Sequence, residues 1–536
     1  MTIANDTDNN DLVYLKGDVK IEPLVCRWYA WSHLVSPAQL ALHLTYRILP
    51  LMQSFATHPS VHIAANRDPE MYGGPFVSLN ESDVGRIKSL IKETQLECAD
   101  LVQFAQDLRA LDTRLQNQAS GYSLNEFYDG LPESLQGLVE LVYDTHNRPT
   151  VLTFEALLYE ADMASHKQEI LLQKVAERER HFFMSTPRVE TSDSLSFKMK
   201  FSDKRLDILT AMRSKPGSFE EVAGLLEVND ESKQAFRQFF DTRIPPRRGV
   251  QNYIENGIRM RYFGHACVLF QTAEISVLFD PFVSIENGND DRFTLNDLPD
   301  TIDYVVITHS HQDHFSPEML LQLRHRIKRV IVPVNNSGNI ADPSMKLMLK
   351  SLGFNNVEVL DCFDQTTLPG GYVQSLPFTG EHADLNIRSK HAIMLAMQGK
   401  KFMFLVDSDG RDVVLYQRMM RKVGHVDVLF IGMECHGAPL NWLYEPLLGN
   451  PVNRRNNESR RLSGANCERA SNVLVEIKPQ RVFVYAMGQE PWMQYIMGLQ
   501  YQPDNIQLIE SDKFVAHCIN QGIQAERLYL HREITF

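Results

Sequence analysis

A chain of 536 residues is too long for one ordinary core and predicts two or three domains, with ample material for a buried active site. Hydrophobic residues make up 43% and charged residues 23%, and no stretch approaches the roughly 18 apolar residues that span a bilayer. A soluble, cytoplasmic protein without a membrane partner is expected. The formal charge of −13 argues against a nucleic-acid partner, because neutralising phosphates needs clustered Lys and Arg.

The first residues are polar and acidic, with neither the basic opening nor the apolar run of a secretory signal, and up to about Asp11 they read as a frayed tail. Residues 20 to 245 read as mixed α and β. The stretch WYAWSHLVSPAQLALHLTYRILPLMQSF is dense enough in aromatic and aliphatic side chains for a core or a subunit interface. His33, His43, His58 and His62 show no ligand spacing and are assigned structural or surface roles. In SDVGRIKSLIKETQLECADLVQFAQDLRAL apolar residues recur every three or four positions, which predicts helix, with Ser82 and Asp83 as caps. The paired prolines and glycines of RIPPRRGVQNYIENG mark a linker near 243–257 and divide the chain into 1–245 and 246–536. Seven cysteines without a C-x-x-C pair suggest reduced thiols. Arg454-Arg455 and Arg460-Arg461 are local basic runs suited to docking.

After the linker, short strand runs alternate with amphipathic helical stretches, which fits an α/β fold of the αββα sandwich kind. The strongest signal lies there. The buried strand Tyr304-Val305-Val306-Ile307-Thr308 leads into His309-Ser310-His311-Gln312-Asp313-His314, and a helix follows near Ser316-Pro317. Three imidazoles and a carboxylate within six residues can grip two metal ions: His309 and His311 one, Asp313 and His314 the other. This is the H-x-H-x-D-H signature of the metallo-β-lactamase fold, which spreads its other ligands over later strand ends. In Pro377-Phe378-Thr379-Gly380-Glu381-His382, alignment on the glycine puts Glu381 where hydrolases carry an imidazole; His382 is the competing choice. Phe402 to Val406 leads into Asp407, which would bridge the metals, while Asp409 is suited to capping the turn with Gly410. The late strand Arg481 to Tyr485 ends without the histidine that hydrolytic members place there. Three histidines and three carboxylates make an oxygen-rich set with an open position, better suited to iron than to zinc.

Here the sequence resembles the diiron β-hydroxylases of nonribosomal peptide biosynthesis. The resemblance runs through nearly the whole chain and includes the stretch from Arg27 to Pro37, which simple hydrolases of this fold lack. It implies a dimerising N-terminal domain of mixed α+β structure before the metal domain. It also implies two irons, with His309, His311 and Glu381 at one, Asp313 and His314 at the other, and Asp407 bridging. Glu434, at the end of a strand, reads equally as a carboxylate facing the cluster or as an ordinary satisfied polar residue. His265 is assigned a structural role, and Cys267 and Cys435 are too isolated to be ligands.

The expected activity is O2-dependent hydroxylation of the β-carbon of an aminoacyl group held as a thioester on a carrier domain of a nonribosomal peptide synthetase, with an external two-electron reductant. A tethered substrate calls for a tunnel near the domain interface. The rival reading is a dizinc hydrolase of the thioesterase or lactonase kind; Glu381 and the missing last histidine oppose it. A metal-stabilised docking module without catalysis is opposed by the complete first ligand set.

Overall fold

The computed structural model describes residues 12–163, 167–288 and 291–536; the tail expected up to Asp11 lies outside them. The C-terminal part is built on two seven-stranded sheets laid face to face. In the first, the strands Ser276–Phe279, Ile302–Val306, Ile327–Pro333 and Val357–Leu360 run parallel, and Val268–Gln271, Arg259–Tyr262 and Arg532–Thr535 complete the antiparallel side. In the second, Lys400–Phe404, Val428–Gly432, Arg481–Tyr485 and Gln524–Arg527 run parallel. Parallel strands covered on both faces must be apolar throughout, which is why runs such as VLFIG and RVFVY are so hydrophobic. Between the sheets, Phe404 stacks on Phe279 at 4.2 Å and on Phe430 at 4.5 Å between ring centroids.

Helices cover the outer faces and complete an αββα sandwich. Val413–Val423, Cys467–Ile477 and Ile506–Asn520 pack on the second sheet. Pro317–Leu323 and Met345–Ser351 pack on the first, where the core runs on without a break into the N-terminal domain. That domain is mixed α+β: a four-stranded antiparallel sheet, a three-stranded sheet, a hairpin, and a set of helices. Residues 242–258, where a linker is expected, carry neither helix nor strand.

Two local features differ from the sequence reading. The expected single helix is two, Val84–Glu97 and Ala99–Gln118, broken at Cys98. Its start is held by a capping box between Asn80 and Asp83 rather than by Ser82. The dense aromatic stretch forms Pro37–His43 and Leu49–Thr57, joined through a π-helical turn at Leu44–Ile48. Pro50 has no N–H to return to the preceding turn, and the helix widens just ahead of it. Among the described residues, no helix is long and apolar enough to cross a membrane.

A buried ionic network joins the two parts. The Glu22 carboxylate accepts from Arg180 and from Arg188, the latter at 2.6 Å. Arg180 also reaches Glu318 at 2.8 Å, on the helix that follows the H-x-H-x-D-H loop. The same Glu318 oxygen accepts from the hydroxyls of Tyr29 and Tyr495, each at 2.8 Å.

Candidate metal centre

Parallel pairing sets Phe279 opposite Val306, so the chain leaving each strand turns into the same corner. Asp280 thereby meets the loop: its carboxylate accepts from the Thr308 N–H at 2.8 Å and from the Thr308 hydroxyl at 2.6 Å. It also lies 2.8 Å from His314 Nδ1. A proton on Nδ1 leaves the Nε2 lone pair of His314 free for a metal, the carboxylate–histidine arrangement that fixes ring orientation. His314 Nε2 is 3.2 Å from Asp407 and 3.6 Å from Asp313. His309 Nε2 is 3.5 Å from Asp407, and His311 Nδ1 is 3.3 Å from Glu381. The loop therefore brings together all six metal-ligating residues expected from the sequence.

Glu381 reaches the cluster on an unusual backbone. Gly380, Glu381, His382, Ala383 and Asp384 all have φ between 52° and 85°, a left-handed run costly for residues other than glycine. Gly380 is required twice over, because a Cβ there would come within 2.4 Å of the Asp409 Cβ. Lys390 Nζ donates to Gly380 O, and Arg460 Nε donates to Ala383 O at 2.9 Å, so two cations pin the turn. His382 is also delivered to the site, but its Nδ1 lies 2.8 Å from the Tyr444 hydroxyl. Asp409 accepts from the Thr379 hydroxyl and from the Arg411 backbone N–H, the latter being the turn-capping part expected of it.

The electrostatics are those of a cation site. Burial, then the charges of Asp407, Glu434 and Asp313, push the Glu381 carboxyl well above its ordinary range. Burial and the charges of Asp407 and Asp313 do the same to Glu434. For His314, burial opposes charge, yet Asp313, Asp407 and Asp280 outweigh it and raise its proton affinity well above that of a free imidazole. Carboxylates crowded out of water in this way are stabilised by a positive ion. His309 Nε2, His314 Nε2, one Glu381 oxygen and one Asp407 oxygen are buried without a hydrogen-bond partner, each costing about 1–3 kcal/mol when nothing binds it. Two overlapping sets, His309 with His314 and Asp407, and His265 with Asp313 and His314, have one donor atom each within 4.8 Å of the others. Hard oxygen donors mixed with imidazoles fit iron.

His265 adjoins the donor cluster, but its hydrogen bonding does not suit it to be a ligand. The Gly488 N–H donates to its Nδ1 at 3.1 Å, so the neutral ring carries its proton on Nε2, 3.2 Å from Asp313. Its Nε2 faces the Asp313 carboxylate from that distance without a hydrogen bond. Cys267 and Cys435 belong to neither donor set. Glu434 lines a cavity of about 570 Å³ together with His311, Asp313, Glu381 and Asp407; Tyr72, Phe76 and Trp442 are part of its wall.

Sequence reasoning missed Asp280 and Tyr444. Asp280 had a signal, since it directly follows a strand that pairs with the one bearing the motif. Tyr444 had none. His33 and His43, assigned generic roles, are buried as a pair 3.2 Å apart between nitrogens, with the His33 ring 5.9 Å from that of Tyr444.

A two-sheet sandwich with imidazoles and carboxylates gathered beyond its parallel strand ends is a metallo-β-lactamase-type metal centre, and residues 259–437 match the β-lactamase superfamily domain. Residues 14–244 match the N-terminal domain of the diiron non-heme β-hydroxylases. The chain is 33% identical over 533 residues to the 4-amino-L-phenylalanyl-[CmlP-peptidyl-carrier-protein] 3-hydroxylase of Streptomyces venezuelae, covering 97% of this chain and 99% of that one. The crystal structure of CmlA, a diiron β-hydroxylase from the same species, superposes with a TM-score of 0.91 at 32% identity, over 98% of this chain and 99% of the other. The chain belongs to the diiron non-heme β-hydroxylase family. It is an enzyme with a diiron centre, and the dizinc hydrolase reading is not favoured.

Proposed function

We propose that this enzyme hydroxylates the β-carbon of an aminoacyl group held as a thioester on a carrier domain of a nonribosomal peptide synthetase. The reaction takes O2, two electrons from an external donor and two protons, and yields the β-hydroxyl group and water. The observation that carries this reading is the oxygen-rich cluster of Asp313, Asp407, Glu381 and Glu434, which lines one cavity together with His311 and lies against the buried rings of His309 and His314. Whole-length similarity to a hydroxylase named for a carrier-bound aminoacyl group supports the form of the substrate.

In this reading His309, His311 and Glu381 would hold one iron, Asp313 and His314 the other, and Asp407 would be shared between them. When bound, the irons supply the oxidising power that no side chain has. The chain's own residues do the rest. Asp280 fixes the orientation of His314. The carboxylates balance metal charge in a site shielded from water, and Glu434 is positioned to hold a water or a proton beside the substrate. Residues 1–245 form a domain that docks the carrier and pairs two chains into a homodimer, and 246–536 form the catalytic domain of a cytoplasmic enzyme.

Stopped-flow mixing of the reduced enzyme with O2 tests the form of the substrate. An aminoacyl-loaded carrier should accelerate the reaction far more than free amino acid at equal concentration, because the docked carrier supplies binding energy that can drive closure. Equal rates would leave a small-molecule hydroxylase.

A further inference from the structure

We propose that Tyr444 and His382 are positioning residues of the metal centre, with one phenol holding both protein arms of the first iron's site. The proposal rests on the reading that His311 and Glu381 ligate that iron.

Tyr444 ends the short helix Asn441–Tyr444 and is 1% exposed. Its hydroxyl is 3.0 Å from His311 Nε2 and 2.8 Å from His382 Nδ1. The direction of these two bonds follows from counting protons. His311 turns Nδ1 toward Glu381, so as a ligand it uses Nδ1 and keeps its proton on Nε2. That N–H donates to the phenol oxygen. The phenol has one proton, and the remaining acceptor within reach is His382 Nδ1. The order is therefore His311 to Tyr444 to His382, and it fixes one tautomer for each ring.

The second arm is mechanical. His382 is fully buried, and Tyr444 is the polar group that its side chain bonds; its other nitrogen is buried without a partner. His382 adjoins Glu381 inside the left-handed run, whose conformation these residues do not favour by themselves. Pinning the His382 ring helps keep that turn, and with it the Glu381 carboxylate, in place. The phenol touches neither Asp313 nor His314. Its influence should fall on one iron of the pair.

Tyr444 is itself held by the N-terminal domain. Arg47, from the π-helical turn, donates to Asn441 O at 3.0 Å and to Trp442 O at 2.9 Å. Trp442 and Leu443 of the same short helix line the cavity. The N-terminal domain thus contributes to the geometry of the metal centre as well as to its cover.

The test follows iron rather than turnover. Protein carrying Tyr444→Phe is loaded with 57Fe, and release of iron to a chelator is timed while Mössbauer spectra are recorded. Loss of a bond that orients a ligand commonly costs about 10–100-fold in metal affinity, so one iron should leave about 10–100-fold faster than in the wild type, with one of the two iron signals altered. His382→Gln, which keeps an acceptor for the phenol, should release iron more slowly than His382→Leu, and this pair decides the matter should Tyr444→Phe fail to fold. Wild-type release of both irons in Tyr444→Phe, equal acceleration of both, or identical behaviour of the two His382 variants would overturn the proposal. His311→Ala separates the levels: if it keeps both irons, the ligand reading itself falls, whereas loss of one iron there with unchanged Tyr444→Phe overturns this inference alone.

Discussion

Glu22 offers the sharpest test of the buried ionic network that adjoins the junction of the two parts. It is 0% exposed and faces two guanidiniums. Burial alone would raise its pKa, but Arg188 and Arg180 prevail and hold the carboxyl down from 4.5 to about 2. That drop corresponds to about 3 kcal/mol of stability at neutral pH, in line with the roughly 3–5 kcal/mol lost when one partner of a buried pair is removed. The sign is that of a depressed acid: the contribution is complete above pH 4.5 and disappears as pH falls toward 2. Glu22→Gln keeps the shape and removes the charge. Chemical denaturation followed by tryptophan fluorescence should find the variant about 3 kcal/mol less stable at pH 7, and the gap should narrow to about half by pH 3. A variant as stable as the wild type at pH 7, or a gap that stays constant down to pH 3, would refute the reasoning.

Two further substitutions bear on the metal site. Glu381→Ala should lose iron or reactivity with O2, whereas His382→Ala should keep much of both when loaded with excess iron; metal analysis checks this, and the reverse pattern would mean that the alignment on Gly380 is wrong by one residue. Asp280→Ala strips the acceptor from His314 Nδ1 and from Thr308, so iron affinity should fall about 10–100-fold; chelator competition reads this directly, and an unchanged affinity would show that Asp280 serves the loop and not the ligand.

The sandwich was legible because its strands are short apolar runs and its motif is compressed into six residues after one of them. The helix at Pro317 was legible from the proline and the serine that caps it. What escaped shares one property, dependence on residues far away in the chain. His265 reads as a loop histidine until Gly488 occupies its Nδ1, 223 positions later. Tyr444 becomes meaningful only when the fold brings it to His311, 133 positions away. Glu381 was preferred to His382 only by alignment on Gly380, because Glu-His-Ala-Asp gives no local hint of a left-handed turn; Lys390 and Arg460 hold that turn from outside. Cys98 sits in an otherwise unbroken helical pattern, and nothing in that pattern marks the kink.

The ionic network also divides its charges between the two parts of the chain. Residues 12 to 241 contain all three strands of the small sheet, the helices, and both guanidiniums that surround Glu22. They do not contain Glu318. Within that region two arginines share a single carboxylate, and the acceptor of the Tyr29 hydroxyl lies outside it. The second negative charge, Glu318, belongs to the helix Pro317–Leu323. The N-terminal domain therefore reaches charge balance in its interior only through the C-terminal domain, from the helix that directly follows the H-x-H-x-D-H loop.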